Sequence, residues 1–279
     1  MLSHVILKTL NRLFPLPRHP FNLNNDGIMT YSKWQYTKGQ DTIKFFLPYA
    51  TTKEMFENKV VLDIGCGACG KTLYYASLGV KFIYGIDVLE KYESQSQDLA
   101  NELDLTEKFK FLLANAANLP LSDGYADTII INDAMEHVAN PKKVLQECLR
   151  VLAPGGRIYI NFPPYYHPHG AHLSDAIGVP WVHMFFSDKT LIKVYKEATK
   201  QLPDGKERIA FRISKKDGKE YFSYINKMTI KRFLSITKEL KIKPAYYKEV
   251  PLRSFFYQLA KLPLIKEMFV KMVVVVIEK

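Results

Sequence analysis

The sequence lacks any run of about 18 consecutive apolar residues, the length that a membrane-spanning helix requires. Its first segment, MLSHVILKTLNRLF, has neither an unbroken apolar centre nor a small-residue cleavage site, so it does not read as a signal peptide. Cysteine is scarce and odd in number, with only Cys66, Cys69 and Cys148 present. These absences argue against a membrane-spanning or disulfide-stabilised secreted protein, and they predict a cytoplasmic chain with reduced thiols.

Acidic residues are depleted toward both ends of the chain. The net formal charge of +11 divides into +4 for residues 1–50, −4 for residues 51–199 and +11 for residues 200–279. Because fixed charge of one sign concentrates the other, the basic flanks favour an anionic substrate or peripheral contact with an anionic membrane surface. A lysine-rich face that is only solvated is the alternative.

Short apolar runs alternate with helical patterns between residues 58 and 163. The strand-like runs are KVVLDIG, KFIYGIDV, KFKFLLANA, ADTIIIND and GRIYINF. They are too apolar for a sheet with one solvated face, so they predict a doubly wound α/β fold whose mostly parallel sheet is covered by helices on both faces. The run Val273 to Val276 is too short to span a bilayer and predicts a central strand.

The alternation breaks after the fifth strand, where histidines, aromatic residues and later lysines predominate. We interpret this stretch as an inserted cap. The predicted divisions are an N-terminal helical arm and lid over 1–50, a core over 51–164, the cap over 165–228 and a return to the core sheet over 229–279.

The first helix is predicted to be amphipathic, with its apolar stripe formed by Leu2, Ile6, Leu10, Leu13 and Phe14. Lys8, Asn11 and Arg12 lie opposite, and the prolines of PLPRHP end the helix. Two interpretations stay open: a helix packed on the core, or a helix lying on a membrane surface.

The stretch VVLDIGCGACGKT places a glycine loop directly after a strand, where backbone N–H groups can approach a ligand closely. Asp87 closes the second strand, 20 residues after Gly67, and a carboxylate there can accept ribose hydroxyls. Asp63, just before the loop, would repel the pyrophosphate of NAD but would suit the ammonium of a methionine group. The residues therefore favour a nucleoside ligand with a positively charged amino-acid end.

Four motifs resemble those of the class I S-adenosylmethionine-dependent methyltransferases, especially the small-molecule, type 11-like branch. They are VLDIGCGACG, YGIDV, ANAANLPLSDGYAD and INDAMEHVANPKKVLQECLRVLAPGGRIYI. The resemblance is strong over about residues 58–163 and holds in outline over 229–279. It implies a seven-stranded sheet whose last strand, KMVVVVIEK, is antiparallel.

Carried onto this sequence, the resemblance implies S-adenosylmethionine as cofactor. It would place the methionine end on Asp63, Gly65 and Gly67, with Asn132 lining that side. Asp87 would hold the ribose, and Val88, Asn115 and Ala116 would flank the adenine. The family often has aspartate where Asn115 stands, and an amide oxygen can accept the adenine amine.

Histidines are the candidate catalytic bases, because an oxygen acceptor gains from a group that removes its proton. Four of the seven fall in YYHPHGAHLSDAIGVPWVHMFF, directly after the fifth strand. We predict His172 as the first choice, then His169, with His137 of the E-H-V turn as a third candidate or a cofactor-pocket residue. Metal ligation by H-x-H-x-x-H and a purely structural role for these histidines stay open, but no metal is assigned.

Aromatic side chains predict a planar or hydrophobic substrate. The candidate substrate-binding residues are Trp34, Tyr36, Tyr165, His167, Trp181 and His183. Trp34 and Tyr36, in YSKWQYTKGQ, would belong to a lid whose rings close over the sulfonium, unless Trp34 is only a core anchor.

The sequence thus predicts an S-adenosylmethionine-dependent methyltransferase that acts on a small molecule, with oxygen as the favoured acceptor. A hydrophobic, lipid-like, isoprenoid-derived or natural-product substrate is preferred. One alternative is a nucleic-acid methyltransferase, suggested by RIAFRISKKDGKEYF but opposed by NDAMEH where an N-P-P-Y-type motif would stand. Another is a non-catalytic module that binds S-adenosylmethionine as a regulatory ligand.

Overall fold

The computed structural model describes residues 2–279, which form two compact units, each assembled from three separate stretches of chain. The first, here the sheet unit, comprises residues 31–162, 230–250 and 272–279. The other, here the second unit, comprises residues 2–30, 163–229 and 251–271. The four divisions of the chain predicted from the sequence stay a prediction.

A seven-stranded sheet forms the centre of the sheet unit. Its strands are β1 (Val60–Ile64), β2 (Phe82–Asp87), β3 (Phe109–Leu113), β4 (Ala126–Asn132), β5 (Leu152–Phe162), β8 (Tyr246–Pro251) and β9 (Val270–Glu278). Their spatial order is β3-β2-β1-β4-β5-β9-β8. β1 to β5 pair in parallel, and β9 pairs antiparallel with β5, with Arg157 opposite Glu278. The predicted fold, including the antiparallel last strand, is confirmed.

Apolar side chains on both faces explain why these segments become central strands. In β1, residues 61–64 are all buried. Val273 to Val276 have no exposed surface, and β9 lies between β5 and β8, so the predicted central strand is confirmed. Such two-sided burial requires helices on both faces of the sheet.

Seven helices belong to the sheet unit, and two of them begin at side-chain caps. They are α3 (Tyr31–Thr37), α4 (Gly39–Ile43), α5 (Thr52–Phe56), α6 (Gly70–Ala76), α7 (Lys91–Glu102), α8 (Pro141–Val151) and α12 (Ile230–Glu239), with a 3-10 turn at Thr106–Lys108. Thr51 and Glu54 form a reciprocal capping box at α5. Asn140 caps α8, whose first residue is Pro141. Both arrangements satisfy backbone N–H groups that a helix start leaves unpaired.

The second unit contains short helices and one hairpin. Its helices are α1 (Leu2–Leu13), α2 (Pro20–Asn25), α9 (Val182–Phe185), α10 (Asp188–Thr199) and α11 (Gly205–Arg212), and the hairpin joins β6 (Ile213–Lys216) to β7 (Lys219–Phe222). Three 3-10 turns follow at Ser254–Phe256, Leu259–Lys261 and Lys266–Phe269. A core that includes Leu7, Leu191 and Phe222 holds the unit together.

Helix α1 forms as predicted, but most of its predicted apolar stripe is not buried. Leu7 is the buried residue, and Leu10 is partly buried beside the same core. Leu2 and Leu13 are 75% and 72% exposed. His4 and Lys8 contact the carboxylate of Glu197 on α10, at 3.0 and 3.1 Å. No helix among residues 2–279 is long and apolar enough to cross a bilayer.

Candidate cofactor site at the carboxyl edge of the sheet

The glycine loop leaves β1 in a conformation that only glycine adopts readily. Gly65 and Gly67 have φ of +71° and +57°. A Cβ on Gly65 would lie 2.6 Å from the Cβ of Ala134, a distance that real Cβ atoms do not show. The loop therefore needs glycine at both positions, and it keeps backbone N–H groups near the ends of β1 and β2.

Asp87 holds the glycine loop against the end of β2. Its Oδ2 accepts a hydrogen bond from the Gly67 N–H at 2.9 Å, and its Oδ1 accepts one from the Leu89 N–H at 3.0 Å. Burial raises the pKa of this carboxyl, and the backbone donors of Gly67 and Leu89 oppose that shift. An ionised carboxylate has about four acceptor positions, so these two bonds leave acceptor capacity for ribose hydroxyls.

Asp63 is a buried carboxyl that accepts a hydrogen bond from a neutral hydroxyl. It is 4% exposed, and Thr72 Oγ1 donates to its Oδ2 at 2.6 Å. Burial raises its pKa to about 7, whereas the Thr72 bond and the charge of Lys71 act in the opposite direction. A cationic ligand at this position would stabilise the ionised form, so the donor set fits the amino-acid end of S-adenosylmethionine.

Gln35, which the sequence did not single out, clamps the glycine loop. Its Nε2 donates to the carbonyl of Cys66 at 3.1 Å, and its Oε1 accepts from the Gly70 N–H at 3.1 Å. A Cβ on Gly70 would lie only 1.9 Å from the Ser32 carbonyl oxygen, so α3 packs directly on the loop. The segment predicted to form a lid therefore holds the glycine loop in place. The residue that does so is Gln35, between Trp34 and Tyr36.

The aromatic residues of α3 take different positions. Trp34 is half-buried, and its ring stacks on that of Tyr31 with centroids 6.3 Å apart. Tyr36 packs edge-on against Tyr74 at 5.8 Å. Burial and the charges of Asp87 and Asp133 raise the pKa of Tyr31, so its hydroxyl stays a neutral donor beside these carboxylates. Tyr31 is a second residue that the sequence reasoning missed.

The end of β4 carries a polar group of the kind expected beside the methionine end. Asn132 is 7% exposed, and its Nδ2 donates to Asp133 Oδ2 at 3.2 Å. Among residues 2–279, its buried Oδ1 finds no hydrogen-bond partner, which leaves one acceptor for a ligand. Asp133 has φ of +49°, and its Oδ2 lies 3.0 Å from Lys71 Nζ. This ion pair, distant in sequence, was not predicted.

The E-H-V turn follows Asp133 and contains one buried and one accessible titratable group. Glu136 is 4% exposed, and its pKa is raised by burial and then by the charge of Asp133. His137 has a 34% exposed side chain, with its Nε2 3.9 Å from Glu136 Oε1. That distance is too long for a hydrogen bond.

The residues predicted to flank the adenine lie at the ends of β2 and β3. Val88 is 64% exposed, Asn115 is exposed and Ala116 is 9% exposed. The Asn115 Oδ1 already accepts the Ala117 N–H at 2.9 Å. The oxygen expected to accept the adenine amine thus has one of its acceptor positions occupied in an Asx turn.

Two cysteines lie inside the glycine loop. Cys66 and Cys69 are both buried, with their sulfur atoms 3.1 Å apart. Burial raises the pKa of the Cys66 thiol well above its usual value. Because the thiolate is the reactive form, this environment favours an inert thiol at Cys66.

The second unit brings several of the predicted histidines and aromatic residues together. The ring of Tyr165 lies 4.8 Å from that of His183, and the rings of His167 and His169 are 6.2 Å apart. Burial lowers the pKa of His183 to about 4, and burial also lowers the pKa of His169. Both imidazoles are therefore neutral at physiological pH, as a general base must be.

His172 and Trp181 both have left-handed backbone conformations, with φ of +52° and +53°. The His172 ring packs edge-on against Tyr224 at 6.2 Å. A Cβ on Gly170 would lie 1.9 Å from the Tyr165 carbonyl oxygen, so the chain itself fills the space beside this glycine, two residues before His172. The Trp181 indole donates to the Met268 carbonyl at 3.3 Å.

Part of this chain is similar in sequence to known proteins. Residues 62–160 match the family model of the methyltransferase domain. Tocopherol O-methyltransferase from Arabidopsis thaliana is 36% identical over 111 residues, covering 39% of this chain and 32% of that protein. Norajmaline N-methyltransferase from Rauvolfia serpentina is 35% identical over 102 residues, covering 37% of this chain and 35% of that protein. The chain thus spans about a third of the length of these curated relatives.

Solved structures show the same fold. A methyltransferase from Aquifex aeolicus superposes with a TM-score of 0.51 at 15% identity, covering 94% of this chain and 99% of that one. The predicted family and its cofactor, S-adenosylmethionine, are confirmed. Residues 62–160 thus match the methyltransferase domain family, and the seven-stranded sheet is the fold of class I S-adenosylmethionine-dependent methyltransferases.

Proposed function

We propose that the protein is an enzyme that transfers the methyl group of S-adenosylmethionine to a small molecule. One observation carries the proposal: the glycine loop is tied to the end of β2 by the bond from Gly67 to Asp87, beside the buried carboxyl of Asp63. This arrangement offers acceptors for ribose hydroxyls and for an ammonium group, and its two carboxylates would repel a pyrophosphate.

S-adenosylmethionine would supply an activated methyl group on a positively charged sulfur. The chain's own contribution is then mostly to bind and orient. Asp63, Gly65, Gly67 and Asn132 would hold the methionine end, and Asp87 would hold the ribose. Val88, Asn115 and Ala116 would flank the adenine.

We propose oxygen as the acceptor, and a hydrophobic, lipid-like, isoprenoid-derived or natural-product molecule as substrate. The tocopherol relative named above supports this choice, whereas the norajmaline relative acts on nitrogen, as its name states. In the proposal, Trp34, Tyr36, Tyr165, His167, Trp181 and His183 contact the substrate. The cytoplasm is the proposed location, with peripheral contact to a membrane that carries such a substrate, as the basic flanks suggest.

A base would assist an oxygen acceptor by taking its proton. We keep His172, His169 and His137 as the candidates, in that order. Burial lowers the pKa of His169, so its imidazole is neutral and can accept a proton. The His137 side chain is 34% exposed, so its imidazole is accessible.

Two measurements test the proposal. Calorimetry with the demethylated product, S-adenosylhomocysteine, should show binding at about micromolar strength, and NADH should show none. Incubation with labelled S-adenosylmethionine and a set of prenylated phenols, sterols and a transfer RNA pool should then transfer label to a small molecule. Label in RNA would favour the nucleic-acid alternative, and tight product binding without any transfer would favour a regulatory module.

Histidine variants sharpen the same assay. His172→Ala should lower turnover by about 10²–10⁴, the range of acid–base assistance, with product binding unchanged. Unchanged turnover in His172→Ala, His169→Ala and His137→Ala would leave catalysis to proximity alone.

A further inference from the structure

A chain of aromatic rings in the second unit links helix α9 to the segment of residues 251–271. The ring of Trp181, which directly precedes α9, lies 6.2 Å from the ring of Phe269. Phe269 lies 5.0 Å from Phe256, and Phe256 lies 4.2 Å from Phe255. With the hydrogen bond from the Trp181 indole to the Met268 carbonyl, these contacts hold the segment in a defined conformation beside α9.

The same segment exposes large apolar side chains. Leu264 is 99% exposed, Phe255 is 69% exposed and Tyr257 is 51% exposed. On α9, which directly follows Trp181, Phe185 is 74% exposed. Single exposed apolar residues are ordinary, but several of this size on one segment and on the helix that follows its Trp181 contact indicate an interaction surface.

The charge of this surface indicates its partner. Residues 251–271 contain the basic residues Arg253, Lys261, Lys266 and Lys271 and only one acidic residue, Glu267. The Lys261 ammonium lies 4.0 Å from the centroid of the exposed Tyr257 ring, so cation and aromatic ring are presented together. Exposed aromatic and aliphatic side chains among basic residues complement the anionic headgroups and the acyl boundary of a bilayer.

We propose that residues 251–271 and α9 form a membrane-binding surface that inserts Phe255, Leu264 and Phe185 into the interfacial region of an anionic bilayer. The basic residues of the segment contact the headgroups. The surface differs from the amphipathic face of α1 that the sequence suggested, and its function does not depend on methyl transfer.

Sedimentation of the full chain with vesicles tests the proposal without any activity assay. At low salt, the protein should bind vesicles of phosphatidylcholine with phosphatidylserine more tightly than vesicles of phosphatidylcholine alone, and added salt should weaken the difference. The double variant Phe255→Asp with Leu264→Asp should lower the bound fraction at limiting lipid by about tenfold or more. Its thermal unfolding should match that of the wild type, because both side chains are mostly exposed.

Two control variants separate this surface from others. Leu234→Asp, at a 40% exposed position of α12 in the sheet unit, should bind vesicles like the wild type. Leu2→Asp with Leu13→Asp alters the exposed face of α1 to a similar degree and should have a smaller effect than the segment variant. Loss of binding in the α1 variant with retention in the segment variant would overturn the proposal.

A Leu264→Trp variant reports insertion directly. Its fluorescence should shift to the blue on anionic vesicles and should be quenched by lipids brominated in the acyl chain. Failure of the wild type to bind vesicles of either composition would overturn the proposal. So would concentration-dependent dimerisation that the Phe255→Asp with Leu264→Asp variant abolishes, since a second copy would then cover the surface.

Discussion

Both units contain buried aspartates, but the groups that surround the carboxylates differ between the two units. In the second unit, Asp175 is 1% exposed and lies 3.2 Å from both Arg208 and Arg212, while the Tyr195 hydroxyl donates to it at 2.8 Å. In the sheet unit, Asp63 accepts from the neutral Thr72 hydroxyl, and Asp87 accepts from backbone N–H groups.

The difference distinguishes a structural charge cluster from the proposed cofactor site. Buried charges in a protein core are costly unless fixed cations and hydrogen bonds compensate them. At the edge of the sheet the compensation is incomplete, and the pKa of Asp63 is raised to about 7 by burial. A site that binds a cationic ligand needs such a deficit, because the ligand supplies the missing charge.

The largest expected effect comes from breaking the compensated cluster. Asp175→Asn would leave Arg208 and Arg212, each under 4% exposed, without their shared carboxylate. Removing one partner of a buried ion pair costs about 3–5 kcal/mol, so the free energy of unfolding should fall by that amount in urea titrations. Asp188→Asn is the matched control, since the ion pair of Asp188 with Lys227 is largely exposed and should contribute at most about 1 kcal/mol. Equal losses in the two variants would contradict the distinction.

A smaller effect is expected from Asp87→Ala, which removes the carboxylate proposed to hold the ribose. Charge-assisted hydrogen bonds contribute about 1.5–3 kcal/mol each, so the affinity for S-adenosylhomocysteine should fall at least about tenfold in calorimetry. Asp98→Ala, on the exposed side of α7, should leave the affinity unchanged. Unchanged affinity in a folded Asp87→Ala variant would show that this carboxylate does not contact the cofactor.

The smallest effect concerns pH and the uncompensated Asp63. Its pKa is raised from 3.8 to about 7 in the folded protein, so the native state holds a proton that the unfolded state has already released. Relative to an Asp63→Asn variant, the stability of the cofactor-free wild type should therefore fall by about 1 kcal/mol as pH rises from 6 to 8. The comparison with the variant is needed because the partly buried His19 and His183, whose pKa is lowered to about 4, make stability rise over the same range. Thermal unfolding of both proteins across that range checks the sign, and a pH dependence that is the same in both would show that Asp63 does not contribute.

Residues whose positions depend on neighbouring sequence were predictable. The Gly65 to Gly67 loop and Asp87 lie at strand ends, and the apolar runs and turn glycines that define those ends are adjacent in sequence. Gln35 and the ion pair of Lys71 with Asp133 were missed, because their partners lie 31 to 62 positions away and only the packing of α3 and α6 brings them together.

For the first helix, the local structure was predictable from the sequence, but the side that the helix buries was not. Its amphipathic period predicted a helix over Leu2–Leu13, and the structure contains that helix. Which side is covered depends on where α10 lies, and Leu7 is buried while Leu2 and Leu13 stay exposed. The hydrophobic stripe of a helix shows which side chains the helix could bury. Which of them are buried depends on the elements that pack against the helix.

By itself, the sequence determined the α/β alternation, the buried central strand Val273 to Val276 and the position of the glycine loop. Hydrophobic period and backbone preference are local properties, and they act wherever the rest of the chain lies. Only the tertiary structure decided which carboxylates are compensated and which apolar side chains remain in contact with water. Desolvation and ion pairing depend on every neighbour in space: Arg208 and Arg212, distant along the chain, compensate Asp175, whereas burial raises the pKa of Asp63.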